Sequence, residues 1–417
     1  MPKVVFSIDQ SKSMREQAVP GHNRWHPDIP AVATVRPGDE FRVECRDWTD
    51  CQVGNNDSAN DVRDIDLTQV HMLSGPFAVE GAEPGDLLVV DILDIGPIPC
   101  PERTGDVPGQ GWGYTGIFAK ANGGGFLTDY YPDAYKAIWD FHGVQATSRH
   151  VPGVRYTGIT HPGLFATAPS AELLTSWNRR EKALIDTDAG RVPPLANPPE
   201  PNNAVTGTAT GDLVERIARE GARTVPPREH GGNQDIKNFT RGARVFFPVY
   251  VTGANFSLGD LHFSQGDGEI TFCGAIEMGG FIDLHVDLIK GGMAKYGVTT
   301  NPIFMPGNVE PRYSEFLSFV GISVDHDTDT NHYLDATVAY RRACLNAIEY
   351  LKTWGYSGEQ AYLLLGSAPI EGRISGIVDI PNACCTLYLP TEIFDFDVRP
   401  NADGPVRKDR GRCAVTS

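Results

Sequence analysis

The stretch RVFFPVYVTGANFSLGDLHFSQGDGEITFCGAIEMGGFIDLHVDLI, residues 244–289, decides the fold. Within it Arg244–Val251, Glu269–Glu277 and Phe281–Ile289 alternate or run apolar, the pattern of strands with one or both faces buried. The breaks between them, Gly253-Ala254-Asn255 and Gln265-Gly266-Asp267-Gly268, hold the residues that tight turns need. The same pattern recurs near the N-terminus. Phe41, Val43 and Cys45 alternate with polar neighbours, and Leu87–Ile95 is a second apolar run. Each is entered by a Pro-Gly-Asp turn, Arg36-Pro37-Gly38-Asp39 and Glu83-Pro84-Gly85-Asp86, which predicts related hairpin geometry. Strands from residues 1–100 and 240–290 are expected to share sheets.

Helices are few. Ala171–Leu184 has helical character, and Asp212 with Glu215 stands at capping-box spacing before a short helix closed by Gly221. The longest helix is expected at Ala336–Trp354, capped by Asp335 and stopped by Gly355. Another starts at Ser357, with Gln360 at capping-box spacing. A strand is expected at Gly376–Ile380 and a further one at Thr386–Leu389. Pro99–Gly113 and Gly123-Gly124-Gly125 resist regular assignment, and residues 191–206, with five prolines, read as an extended excursion. The whole is a β-rich α+β fold with a sandwich-like core, a few helices and long ordered loops. Its regions run 1–100 (β), 101–240 (loop-rich and helical insertion), 241–400 (β core with C-terminal helices) and 401–417 (polar, mobile tail), with soft boundaries.

Composition excludes several functions. The chain has 417 residues and a formal net charge of −17. Such an acidic surface repels nucleic acid and anionic lipid, so neither is an expected partner. No apolar run approaches the roughly 18 residues of a membrane span, and Met1–Ser13 reads as a strand rather than a signal peptide. A cytoplasmic protein is expected. None of the eight cysteines forms a C-x-x-C pair, so reduced thiols are expected rather than a disulfide framework or a zinc ribbon.

The chemistry gathers between Arg228 and Glu277. Asp235, Asp260, His262, Asp267, Glu269 and Glu277 fall there among glycines and strands. If residues 260–262 are extended, Asp260 and His262 point to one side, roughly 6.6 Å apart along the strand. Asp267 and Glu269 would do the same, and a hairpin through Phe263–Gly266 would bring both pairs together. One imidazole among several carboxylates suits Zn²⁺ or a similar divalent ion. A carboxylate that is not a ligand could then act as general base.

These motifs carry a resemblance. GGNQD (231–235), GDLHFSQGDGE (259–269) and the Glu277 that ends its strand resemble the acetamidase/formamidase family. So do the Pro-Gly-Asp turn at 37–39, GPFAVEGAEPGD (75–86) and His71 just before it. Gly158-Ile159-Thr160-His161-Pro162-Gly163 is most similar to the long formamidases. The resemblance implies a metal-assisted hydrolase of a small neutral amide, formamide first, on a β-rich fold that forms a homo-oligomer, a trimer or higher. Carried onto this chain, it implies Asp235, Asp260 and His262 as metal ligands and Glu269 as general acid/base. His71 and His161 would join the catalytic groups, and His230 and Asn233 would contact substrate.

Two other readings compete. A thiolate at Cys384 or Cys385 could attack amides. A β scaffold could hold a structural ion for a binding role without catalysis. The clusters Asp325-His326-Asp327 and Asp329–His332 read as a polar loop before the Asp335 cap.

Overall fold

The computed structural model describes residues 2–98, 111–188, 192, 195 and 201–417. The proline-rich excursion and the stretch after Pro97 lie largely outside them.

Two large sheets form the core. The first has six strands in the order Lys3–Phe6, Glu40–Cys45, Gly280–Ile289, Leu87–Pro97, Arg244–Pro248 and Ile303–Met305. It mixes N-terminal segments with segments from 240–290, as the apolar patterns predict. The Pro-Gly-Asp turns are built alike. In one, Asp39 accepts the Arg36 N–H at 2.8 Å; in the other, Asp86 accepts the Glu83 N–H at 2.8 Å. Gly38 and Gly85 take φ of 93° and 95°, a region only glycine enters without strain.

The second sheet has 12 strands, and Phe256–Gln265 is its hub. That strand pairs with His161–Ala166 on one edge and Phe272–Met278 on the other, and it also meets Leu73–Val79. The two sheets pack through aromatic contacts such as Phe165–Phe247, with ring centroids 4.9 Å apart, and Phe41–Phe256 at 6.3 Å. Every residue of Phe256–Gln265 is buried. Polar groups on such a strand must find partners inside the protein.

The third unit is a three-stranded sheet, Phe316–Ile322, Cys384–Pro390 and Glu371–Gly376. The helix Ala336–Thr353 covers it, capped by the Asp335 side chain on the Thr337 and Val338 N–H groups. The neighbouring helix Gly358–Ser367 carries the expected Ser357/Gln360 capping box and is buried along most of its length.

Several expectations are corrected. Residues 101–240 carry loops and helices, but they also hold Trp112–Ile117, Tyr135–His142 and His161–Ala166, strands of the large sheet that were not expected. Trp112–Ile117 and His161–Ala166 are buried at every position, so neither carries the polar–apolar alternation that marks a half-exposed strand. The Asp212/Glu215 box does not form: Asp212 is the first helical residue and Gly211 takes the cap position. The strand expected at Gly376–Ile380 lies earlier, at Glu371–Gly376. The tail is tied down, with Ala414–Val415 pairing with Tyr135–Lys136. Cys51 is disulfide-bonded, against the expectation of reduced thiols throughout. No helix among the described residues is long and apolar enough to cross a membrane.

Candidate active site

Strand register builds the floor of the site. His161 pairs with His262, His262 with Glu277, and Glu277 with Tyr114. Residues directly opposite in a sheet point to the same face. One row of side chains therefore crosses four strands, with His262 and Glu277 at its centre.

Asp260 joins this row by a local distortion rather than by plain alternation. Its φ is +54°, where an extended residue was expected, yet its Oδ1 still lies 3.2 Å from His262 Nε2. Glu277 Oε2 stands 3.0 Å from the same nitrogen. Asp235 comes from the Gly231–Asn233 strand end, also at positive φ (48°). The donor atoms of Asp235, Asp260 and His262 lie within 4.8 Å of one another.

Three observations test whether this cluster fits a cation. Asp235 Oδ1 is enclosed without a hydrogen-bond partner. Four carboxylates, Asp235, Asp260, Glu269 and Glu277, converge with one imidazole between them. Gly163 lies opposite: a Cβ there would sit 2.7 Å from Asp235 Oδ1, 2.7 Å from Asp260 Oδ2 and 2.6 Å from His262 Cε1. Any side chain there would press on all three residues. A mixed oxygen and imidazole donor set of this kind suits Zn²⁺ or a similar divalent ion.

The hydrogen bonds behind His262 fix the orientation of its ring. His161 Nδ1 faces the Ile159 carbonyl at 2.6 Å, and a carbonyl can only accept. Burial, with the His262 charge beside it, pushes the His161 imidazole down to about 3, so this ring is neutral. Its Nε2 is then the acceptor for His262 Nδ1–H at 3.2 Å. Gln265 Oε1 lies 2.9 Å from the same His262 nitrogen, and Gln265 Nε2 donates to the Asp235 carbonyl at 2.7 Å. His262 Nε2 is left facing the carboxylates, the orientation that a metal-binding imidazole requires.

Charge repulsion tunes the carboxylates apart. Burial and the Asp260 charge push Asp235 up to about 7. Burial also lifts Glu277 to about 7, with His262 opposing and Asp260 adding to the rise. Burial, Asp235 and Glu277 hold Glu269 well above the usual carboxylate range. Burial works against a charged Asp260 too, but His262 outweighs it and the net shift is downward. Burial likewise opposes a charged His262, yet Glu277 and Asp260 hold its imidazole well above the ordinary value. One acid that keeps its proton beside one that stays ionised is the pattern of acid/base sites.

A cavity of about 440 Å³ opens above the row. Asp235, Asp260, Glu269 and Glu277 line it, with His71, Asn233, Gln234, Gln265, Trp48, Phe126 and Phe272 among the walls. His71 is buried against Trp48, with ring centroids 5.1 Å apart, and desolvation pushes it down to about 4. Asn233 donates to the Val225 carbonyl at 3.0 Å and keeps its Oδ1 unpaired.

Two of the expected residues stand elsewhere. His161 lies behind His262 with both ring nitrogens engaged, so it positions rather than touches substrate. His230 is clasped between Trp25 and Trp177, with centroids 4.6 and 4.5 Å away, and does not line the cavity. The Asp267–Glu269 pairing also fails. Glu269 faces the cavity, while Asp267 turns away to Lys237 Nζ at 2.7 Å and the Gly372 N–H at 2.9 Å. The turn comes at Gly266–Thr271, after the strand expected to bend at Phe263. Sequence reasoning gave Gln265, Gly163 and Phe126 no role. Glu277 could have been given one, as a lone carboxylate in the apolar run Cys273–Met278.

Neither Cys384 nor Cys385 is among the residues that line the carboxylate cavity. Burial raises the Cys385 thiol, and its Sγ donates to the Ala336 carbonyl at 3.4 Å. Both it and Cys384 sit on the three-stranded sheet.

Residues 7–396 match the Acetamidase/Formamidase family. An acetamidase of Mycolicibacterium smegmatis is 76% identical over 372 residues, covering 89% of this chain and 91% of that protein. A formamidase of Methylophilus methylotrophus is 64% identical over 403 residues, covering 97% and 96%. Among solved structures, a gamma lactamase from Delftia acidovorans superposes with a TM-score of 0.94 at 57% identity, over 100% of both chains. With cavity, carboxylates and relatives in agreement, the chain belongs to the acetamidase/formamidase family of amide-hydrolysing enzymes.

Proposed function

We propose that this enzyme hydrolyses formamide and acetamide to the carboxylate and ammonia, using a divalent cation, Zn²⁺ by donor type, held by Asp235, Asp260 and His262. The observation that supports this most directly is the convergence of the three donor atoms, within 4.8 Å of one another, beside a residue that has no side chain to displace them. When bound, such a cation supplies Lewis acidity toward water and toward the amide oxygen.

The chain's own groups do the rest. Glu269, at the cavity wall and outside the ligand trio, takes the proton of the attacking water and returns it to the departing nitrogen. Its raised affinity for protons suits the second half of that transfer. His161 and Gln265 hold the His262 ring in place. Trp48, Phe126 and Phe272 exclude bulk water, which strengthens each charge interaction inside. Asn233 is placed to orient the amide.

Formamide and acetamide occupy only part of about 440 Å³. That spare volume, together with the likeness to the gamma lactamase, favours cyclic amides as additional substrates. We assign the assembly to a homo-oligomer, a trimer or higher, through the exposed edge strand Ile303–Met305, where Ile303 and Met305 are 50% and 62% exposed. Light scattering of the purified protein tests it, with a monomer the contrary result. An acidic cytoplasmic enzyme remains the proposed setting.

The deciding experiment is ammonia release from formamide, acetamide and a γ-lactam, before and after chelation and metal add-back. Chelator-sensitive release, restored by zinc and lost by roughly 10²–10⁴-fold in Glu269→Gln, is expected. Release that survives metal removal and stops on thiol alkylation would overturn the assignment.

A further inference from the structure

A second cavity, of about 340 Å³, adjoins the first. Ile270, Tyr340, Ile374 and Cys385 are among its walls, so most of its surface is apolar. Among the described residues, two line both cavities, Phe126 and Gly268. Gly268 contributes no side chain and can hardly gain one. Its φ is +95°, and a Cβ would lie 3.2 Å from both Ile270 and Tyr340. The partition is therefore the Phe126 ring.

That ring is held on its outer side. Phe126 N–H donates to the Ile270 carbonyl at 2.8 Å. The ring lies 6.1 Å from Tyr340, and the Arg341 guanidinium sits 5.4 Å over it. Tyr340 in turn donates to the Asp267 carbonyl at 2.8 Å, in the turn that leads into Glu269. The backbone before the ring is equally confined. A Cβ on Gly125 would meet the Tyr362 hydroxyl at 2.8 Å and the Ile270 carbonyl at 2.9 Å.

We infer that Phe126 is the chain-length determinant of the amidase. Its ring closes the carboxylate cavity against an outer apolar pocket, and that pocket receives the tail of a longer acyl group when the ring is small or absent. This rests on the amidase reading of the inner cavity. An amide carbonyl held beside Glu269 is one residue from Gly268, so its substituent reaches the partition first. Apolar walls reward each added methylene, whereas a rigid aromatic wall rejects it.

The test is the ratio of kcat/KM for hexanamide to that for acetamide in three variants of the full-length enzyme. Phe126→Ala is expected to raise the ratio at least tenfold, and Phe126→Leu to raise it by less. Adding Ile374→Trp to Phe126→Ala refills the outer pocket and is expected to cancel the gain, while Ile374→Trp alone leaves acetamide turnover at the wild-type level. An equal change for every amide in Phe126→Ala would overturn the inference, because it would make the ring a structural wall only. A gain that persists with Ile374→Trp would overturn it as well, because the tail would then lie elsewhere. Wild-type enzyme inactive on acetamide and formamide would instead overturn the parent reading.

Discussion

Lys237 Nζ lies 2.7 Å from Asp267 Oδ1. Lys237 is two residues past Asp235, and Asp267 is two residues before Glu269. The pair thus ties the loop carrying a proposed metal-ligand carboxylate to the turn carrying the proposed acid/base. Lys237 is 5% exposed and also donates to the Ile370 carbonyl at 2.5 Å, so it is anchored at both ends. The Asp267 side chain is 38% exposed, and water screens part of the attraction. Lys237→Met is expected to cost about 1–2 kcal/mol of stability. Its larger effect is on catalysis, where kcat falls more than KM rises because Glu269 loses its aim. Steady-state kinetics beside a denaturation curve separate the two, and a stability loss with kcat intact would refute the coupling.

Gly163 gives the most direct probe of the proposed metal site. A methyl group there would stand 2.6–2.7 Å from atoms of all three proposed ligands. The backbone φ at this position is not one that L-residues avoid, so Gly163→Ala can fold. Zinc content is expected to drop from about one ion per chain to a small fraction. The metal-free protein should still unfold cooperatively but melt somewhat lower, because the three side chains must shift to admit the methyl group. Elemental analysis with circular dichroism reads both. A variant that keeps its full metal content would place the ion elsewhere.

His161 acts on the site through His262. It accepts the His262 Nδ1 proton and so keeps Nε2 turned toward the carboxylates. Losing such an orienting partner costs about 10–100-fold in metal affinity. His161→Phe fills the same space without the acceptor. Competition against a chelator of known affinity should show that weakening, with the unbound protein still folded. An unchanged affinity would mean that Gln265, 2.9 Å from the same nitrogen, suffices alone.

Legibility in the sequence followed burial. Phe41–Cys45, Leu87–Ile95 and Phe281–Ile289 were readable because their sheet has a polar or partly exposed face. Trp112–Ile117 and His161–Ala166 were not, because burial on both faces erases alternation. The two helix caps at Asp335 and Ser357 were legible because a cap is a local hydrogen bond. Of the candidate site, Asp260 and His262 were legible through i, i+2 spacing and Asp235 only through the family motif. The role of Gly163 and the partition at Phe126 depend on what faces them across strands and loops, which no local pattern encodes. His230 misled for the same reason: its motif neighbours line the cavity, while two tryptophans take its ring.

Acid should destabilise the fold through buried neutral histidines, of which His22 is the clearest case away from the carboxylate cavity. Its Nδ1–H donates to the Arg24 carbonyl at 2.7 Å, and its Nε2 faces the Ser257 hydroxyl at 2.7 Å. Burial pushes its imidazole down to about 4 from an ordinary 6.5, although the Arg24 carbonyl opposes the shift. The sign follows from proton counting. Below 6.5 the unfolded chain takes up a proton that the folded chain refuses until about 4. Stability is therefore fully present above 6.5 and is lost as pH falls toward 4. The loss is on the order of 3 kcal/mol across that window for this one group. His22→Gln keeps a donor and an acceptor but cannot titrate. The variant should start less stable at neutral pH and lose less on acidification, so the gap to the wild type narrows steadily. Urea denaturation at half-unit steps from pH 7 to pH 4.5 measures that gap. A constant gap across the series would mean that His22 takes up its proton at the same pH in the folded and the unfolded chain, which would refute the depressed imidazole.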